Sequence, residues 1–219
     1  MNNRIKLFGI IAIVAIIGFT MASCDGGPLS SAHTHDPNWE TGLCTNCGAL
    51  MYSLGDTGPG GGIIFYRSAI AFGAGSGGSW HYLEGARVNQ STGTKWSSVT
   101  GVDVTGAREK GIGWGKANTM AIIAAHPADA LIDNAAKTAV AYNGGGRNDW
   151  FLPSINELLE MRKERARFNE LEGDIWSSTQ QSNNYQAYAW NYSSTSSTGG
   201  PDVWPTKTNS NTVRAIRAF

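Results

Sequence analysis

An α+β domain of short antiparallel strands, two to three helices and long loops is what this chain predicts, on three observations. Strand-like runs stand at both ends of its main part, Ile63-Ile64-Phe65-Tyr66 first and Val213 to Phe219 last. Helical patterns fall between them, at 117–125, at 128–142 and after Ser154. Gly makes up 28 of 219 residues, nearly twice the usual share of about 7%. Helices enclosed by a frame of strands, with much loop between, describe the α+β class.

Each element has its own signal. Gly55-Asp56-Thr57-Gly58-Pro59-Gly60-Gly61-Gly62 is turn-rich and leads into the first strand. It lacks the Lys-Ser/Thr end of a P-loop, so it is read as a turn and not as a phosphate cradle. Trp80 to Glu84 is a second strand, with a loop from Gly73 to Ser79 before it. Residues 89–115 are rich in Gly, Ser and Thr and read as loops. Ala117 to Ala125 is a short apolar helix ending before His126-Pro127. Over 128–142, Leu131, Ile132, Ala135, Ala136, Ala139 and Val140 share one face, which predicts a second helix stopped by Gly144 to Gly146. Ser154-Ile155-Asn156-Glu157, directly after Pro153, is a capping box opening a third. Arg162, Lys163, Arg165 and Arg167 crowd the end of that helix, where cations complement the dipole; the competing use is an anion site for an acidic glycan. Ile175 to Ser178 and Ala187 to Tyr192 are strands, Ser193 to Gly200 is a polar loop, and Val213 to Phe219 closes the domain. Arg214 and Arg217 on that last strand need carboxylate or carbonyl partners if they turn inward, and Asp149 and Glu157 are the candidates.

The first 23 residues read as an address. Arg4 and Lys6 precede an apolar run from Leu7 to Phe19, 13 residues long. That is shorter than the ~18 residues of a membrane span and fits the core of a secretory signal. Met21-Ala22-Ser23-Cys24 resembles a bacterial lipobox, with Met21 where Leu or Val is usual, and assigns Cys24 as the lipidated residue. Cleavage there removes Arg4 and Lys6 from 17 cations and nothing from 17 anions, leaving a charge of −2. Residues 24–32 are a Gly, Pro and Ser-rich tether.

Residues 33–52 form a small Cys/His segment. His33, His35, Cys44 and Cys47 lie within 15 residues, and Cys44-Thr45-Asn46-Cys47-Gly48 has the C-x-x-C-G form of a zinc knuckle. Two thiolates and two imidazoles would complete a tetrahedral zinc site. A single C-x-x-C is a sparse signal, so the expectation is a Cys44–Cys47 disulfide formed after export, or an inert pair, with no cofactor, and zinc is the alternative. No other cofactor is indicated. The remaining domain, 53–219, contains no Cys.

Composition narrows the function classes. The formal charge is zero and charged residues are 16%, which argues against a nucleic-acid partner held by bulk positive potential. Eight Trp and seven Tyr supply large amphipathic rings of the kind used at binding surfaces.

The motifs of the main domain carry a resemblance. Gly55-Asp56-Thr57-Gly58-Pro59 leading to Gly61-Gly62-Ile63-Ile64-Phe65-Tyr66, then Asp149-Trp150-Phe151-Leu152-Pro153-Ser154 with Glu157-Leu158, then Trp176-Ser177-Ser178, Ala189-Trp190 and Val213 to Phe219 occur in order. Together they resemble a bacterial domain family of unknown function that includes the C-terminal domain of the Legionella collagen-like adhesin. The resemblance implies a C-type-lectin-like fold, in the branch that contains formylglycine-generating enzymes, often carried on exported lipoproteins. It also implies a link to targets of diversity-generating retroelements, which mutate adenine-rich codons near the gene's end. Residues 183–211, rich in Asn, Tyr and Ser, have the position and composition of such a region.

No catalytic centre is legible. The domain holds only His81 and His126, no nucleophile–base–orienter set is spaced for one, and the Cys pair of formylglycine-generating enzymes has no counterpart after Cys47. The order Asn148-Asp149-Trp150 does not support calcium-dependent sugar binding. The expectation is a lipid-anchored, adhesin-like binding module at the bacterial cell surface, with an extracellular protein or glycan as partner. Its contact face is assigned to about 180–211, from Asn183, Asn184, Tyr185, Tyr188, Asn191, Tyr192, Trp204, Asn209 and Asn211, with Trp190 assigned to the core. The alternatives are an enzyme using cleft carboxylates and a structural envelope lipoprotein.

Overall fold

The structure, a computed structural model, describes residues 36–169, 171–192 and 202–219. The signal peptide, Cys24, the tether, His33, His35 and the polar loop 193–200 lie outside them. The described chain is mixed α+β. In order it runs β1 (Pro37–Asn38), β2 (Leu43–Cys44), β3 (Ile63–Phe72), β4 (Trp80–Gly85), β5 (Ser91–Thr94), α1 (Gly115–Ala125), α2 (Ala135–Val140), α3 (Ile155–Lys163), β6 (Asp174–Gln180), β7 (Ala187–Asn191), β8 (Asp202–Val203), β9 (Asn211–Val213) and β10 (Ile216–Ala218).

Three sheets result. β1 pairs with β2; β10, β4 and β3 form a second sheet; β5, β9, β6, β7 and β8 form a third. All pairings are antiparallel except β6 with β9, where Ile175 lies opposite Thr212. The final strand expected from Val213 to Phe219 is in fact two strands in two sheets. β9 pairs with β5 and β6, the chain turns at Arg214-Ala215, and β10 pairs with β4. Arg214 sits at this joint, fully buried. Its Nη1 donates to the Ala86 carbonyl at 2.8 Å and its Nη2 to the Asn169 carbonyl at 2.7 Å. Two backbone carbonyls thus receive the two ends of this guanidinium.

Alternation along the strands builds the core, because successive side chains face opposite sides of a sheet. Ile63 and Phe65 of β3 join Leu83, Ile216, Leu158 and Met161 on one face. Ile64 points the other way, into a cluster with Tyr82 and Phe219. On β7, Tyr188 and Trp190 face the α3 side while Ala187 and Ala189 face a second core. Those small residues leave room for Trp176 and Trp96, both fully buried. The indole N–H of Trp176 donates to the Thr94 carbonyl at 2.8 Å, and that of Trp96 to the Ser177 carbonyl at 2.9 Å. Trp190 is in the core, as assigned from sequence.

Two helices follow their sequence signals closely. α1 begins two residues before the predicted Ala117. α3 opens on the predicted capping box, with Glu157 N donating to Ser154 Oγ and Ser154 N to Glu157 Oε2 at 2.7 Å. The helix predicted over 128–142 is shorter. A single 3₁₀ turn at Leu131–Asp133 precedes Asn134, whose backbone is extended and whose side chain caps α2 by accepting from Lys137 N at 3.0 Å. Asn competes for local backbone bonds and so favours a cap over a helix interior. Leu131 and Ile132 are therefore exposed rather than buried, and Ala135, Ala136 and Ala139 supply the core contacts.

The segment 36–52 packs on the main domain. Tyr82 Oη donates to the Gly42 carbonyl at 3.0 Å, and the Tyr52 ring meets Tyr82 and Phe219 edge-on. This segment covers the face of the β10-β4-β3 sheet that Ile64 points toward.

Candidate binding face

The β6–β7 turn starts the site. Asn183 Oδ1 accepts from Tyr185 N at 3.0 Å and Gln186 N at 2.9 Å, so Asn183 shapes its own turn. Its Nδ2 donates to Gln186 Oε1. That turn holds Tyr185 58% exposed. The chain after β8 runs beside it. Lys207 N donates to the Tyr185 carbonyl at 3.0 Å, and Gln186 Nε2 to the Trp204 carbonyl at 2.7 Å. Trp204 is 53% exposed, its ring edge-on to Tyr188. Asn209 is exposed on the next turn, its N–H donating to the Thr206 carbonyl.

A third loop, 97–103, joins these two. Asn184 Nδ2 donates to the Gly101 carbonyl at 2.8 Å, and Gly101 N returns a bond to the Asn184 carbonyl. Val99 on this loop is 47% exposed. Sequence reasoning did not include loop 97–103, because nothing in a Ser/Thr/Gly stretch announces which distant turn it will touch.

Lys207 lies beneath the three loops and was also missed. It is fully buried, with Nζ donating to the Val102 carbonyl and to Gln180 Oε1, each at 2.7 Å, and lying 4.5 Å from the Trp96 ring centroid. Gln180 Nε2 in turn donates to Asp103 Oδ1 at 2.6 Å. Burial pushes the Lys207 ammonium down to about 8, against the opposing pull of Asp103. A lone Lys between two Thr carries no sequence signal of burial.

The other predicted face residues are placed differently. Tyr188 is buried, its Oη accepting from Lys110 Nζ at 2.6 Å and donating to Gln181 Oε1 at 3.1 Å. Tyr192 is buried, its Oη donating to the Leu158 carbonyl at 2.9 Å, and burial pushes its phenol up. Asn211 is buried in β9. Asn191 is half-buried, with Nδ2 donating to Asp174 Oδ1 at 2.6 Å. These four sit in or beside the frame: Tyr188 and Tyr192 share with Trp190 the side that packs on α3, and Asn211 lies on β9 between β5 and β6. The outward set is Asn183, Asn184, Tyr185, Trp204 and Asn209, with Val99 added.

The buried acids hold structure. Glu84 is fully buried on β4, accepting from Gly60 N at 2.9 Å and Gly62 N at 3.1 Å. A Cβ on Gly60 would lie 2.6 Å from Glu84 Oε1. The glycine-rich turn thus encloses a carboxylate of the protein itself. Glu157 accepts from Ser154 N and from Gly113 N, both at 2.7 Å, and does not meet an arginine. Asp149 does, through Arg217 Nε at 2.5 Å.

At the end of α3, Lys163 pairs with Glu160 at 2.7 Å, Arg167 with Glu164 at 2.6 Å, and Arg162 lies 5.4 Å from the Trp190 ring. Acids one turn away occupy two of the cations expected there. Cys44 is buried and Cys47 exposed. No group of three or more metal-ligating side chains gathers among the described residues. No described helix is long and apolar enough to cross a membrane.

No family model matches the chain, and no curated protein does.

Proposed function

We propose that this chain is a lipid-anchored, adhesin-like binding module of the C-type-lectin-like type. It is displayed at the bacterial cell surface through Cys24, and it binds an extracellular protein or glycan without catalysing a reaction. The observation that carries the proposal is the union of loops 97–103, 181–186 and 203–210 into one hydrogen-bonded surface presenting Val99, Tyr185 and Trp204. Exposed aromatics on a rigid base bind with little loss of side-chain entropy, and neighbouring Asn amides adapt their hydrogen bonding. Asn183, Asn184 and Asn209 supply those amides. Glu84 and Glu157, the buried carboxylates, are engaged by backbone N–H groups, which favours binding over acid/base work.

The test is a screen of the purified full chain against a glycan array and a panel of extracellular proteins, followed by Tyr185→Ala/Trp204→Ala. Loss of two anchors of this type should weaken a hit by roughly 30-fold or more, as hot-spot residues do. Unchanged affinity in that variant, with loss on changing Arg162 and Arg165, would move the face to the end of α3.

A further inference from the structure

We propose that Lys110, Gln181 and Trp204, gathered around the Tyr188 ring, form an acid-recognising subsite, and that the ligand of this surface is an acidic sugar. The inference rests on the reading of loops 97–103, 181–186 and 203–210 as a binding face, and it supplies the chemical class of what that face takes.

Tyr188 is the hub. Its ring is buried, and the Trp204 ring stands edge-on to it with 6.4 Å between centroids. Lys110 Nζ lies 4.3 Å from the same centroid and donates to Tyr188 Oη at 2.6 Å. Both groups border one ring, so a disaccharide laid across Tyr188 reaches from one to the other. Lys110 is exposed, yet its ammonium is held by the phenol oxygen and the ring. Less rotamer freedom is then lost on binding than for an unanchored lysine. Its neighbour Arg108 is taken by Asp103 at 2.8 Å. Among the described residues no carboxylate lies within ion-pair distance of Lys110.

Gln181 adds a second donor. Its Oε1 accepts from Tyr188 Oη at 3.1 Å and from Ser182 N at 2.6 Å, which fills both lone pairs and fixes which way the amide points. Its Nε2 is left with both N–H groups to offer. An ammonium and an amide, both fastened to one phenol, thus present donors alone. The group that answers donors alone is an anion, and a carboxylate can accept from both at once. Trp204 contributes the rest of the recognition. Its half-exposed ring is a flat apolar platform for the C–H face of a pyranose. A carboxylate carried on a sugar ring uses donors and platform together, whereas that of an acidic peptide uses the donors alone.

The experiment uses the full chain and two matched pairs of probes: sialyllactose with lactose, and a galacturonic acid oligomer with its methyl ester. Affinities are read by isothermal titration calorimetry. In at least one pair the acid should bind about 10-fold or more tightly than its neutral partner, and the preference should shrink as salt rises. Lys110→Met should bring the ratio within that pair close to one, and Lys110→Arg should keep part of it. Trp204→Ala should weaken acid and neutral sugar alike. Thermal melts of each variant check that a lost preference is not a lost fold. A Lys110→Met chain that keeps the full preference overturns the proposal, as does a panel in which neither acid is preferred. A neutral glycan or a protein that binds, is lost in Tyr185→Ala/Trp204→Ala and ignores Lys110 overturns the subsite and leaves the binding face standing. An aspartate-rich peptide held through Lys110 where neither sugar acid binds does the same. A bound sugar acid indifferent to Trp204→Ala overturns both.

Discussion

Arg217 and Glu84 meet in the interior as cross-strand partners of β10 and β4, with Nη1 2.9 Å from Oε1 and side chains 6% and 0% exposed. Arg217 also reaches Asp149 through Nε, and Glu84 accepts from the Gly60 and Gly62 amides. One guanidinium thus ties the last strand to β4 and to the segment before α3. Arg217→Met leaves Glu84 buried without its cation, so a loss of about 3–5 kcal/mol is expected in urea denaturation. Arg217→Lys should recover only part of it, because an ammonium lacks the fork that serves two carboxylates. Full stability in Arg217→Met would mean that the backbone amides alone hold Glu84.

Glu157 gives stability a pH dependence. Burial pushes its carboxyl up to about 7, opposed by the N–H groups of Ser154, Gly113 and Gly115. The folded state holds the proton more tightly than the unfolded chain does. Its contribution is therefore complete below about pH 4.5 and is lost as pH rises through about 7, by up to roughly 3 kcal/mol. Denaturation midpoints from pH 4.5 to 8 should fall in the parent chain. In Glu157→Gln this component of the slope should vanish, at a lower baseline, since one amide N–H then faces an –NH₂ group. An identical slope in both chains would assign the dependence to other groups.

Face and frame should separate in stability. Tyr185→Ala and Asn209→Ala should each stay within about 0.5 kcal/mol of the parent, as surface substitutions do. Asn183→Ala should cost about 1 kcal/mol, since Oδ1 holds two backbone N–H groups of its own turn. Trp176→Ala and Leu158→Ala should cost roughly 3–5 kcal/mol through lost core volume. Thermal melts of the five variants check the ordering; a Tyr185→Ala chain as unstable as Leu158→Ala would place Tyr185 in the frame.

Cutting the chain before Ser53 removes Tyr52 and the Gly42 carbonyl and uncovers Tyr82 and Phe219. The truncated domain retains both large cores and should still unfold cooperatively, with a lower melting temperature and binding of a hydrophobic dye. Equal melting temperatures would mean that the N-terminal segment adds nothing to the sheet it covers.

Local chemistry was legible wherever neighbours along the chain decide the outcome. Ser154 and Glu157 cap α3 across three residues, and the 63–66 and 80–84 runs became β3 and β4. Trp190 was assigned to the core and lies there. α1 was placed to within two residues. The α+β class followed from these elements alone. What tertiary structure decided depends on partners far apart in sequence. Asn134 ended the 128–142 pattern because its cap competes with a longer helix and the core needed only three alanines. Arg214 divided the last strand because two different sheets required its two halves. Tyr188 and Tyr192 turned inward because α3 covers that face of the sheet and a second core covers the other, so β7 has no solvent face to offer. Lys207 and loop 97–103 entered the candidate site only through bonds to Gln180, Asn184 and Tyr185. Composition can count the polar residues of a loop, but hydrogen bonds across 20 to 100 residues decide which of them face water.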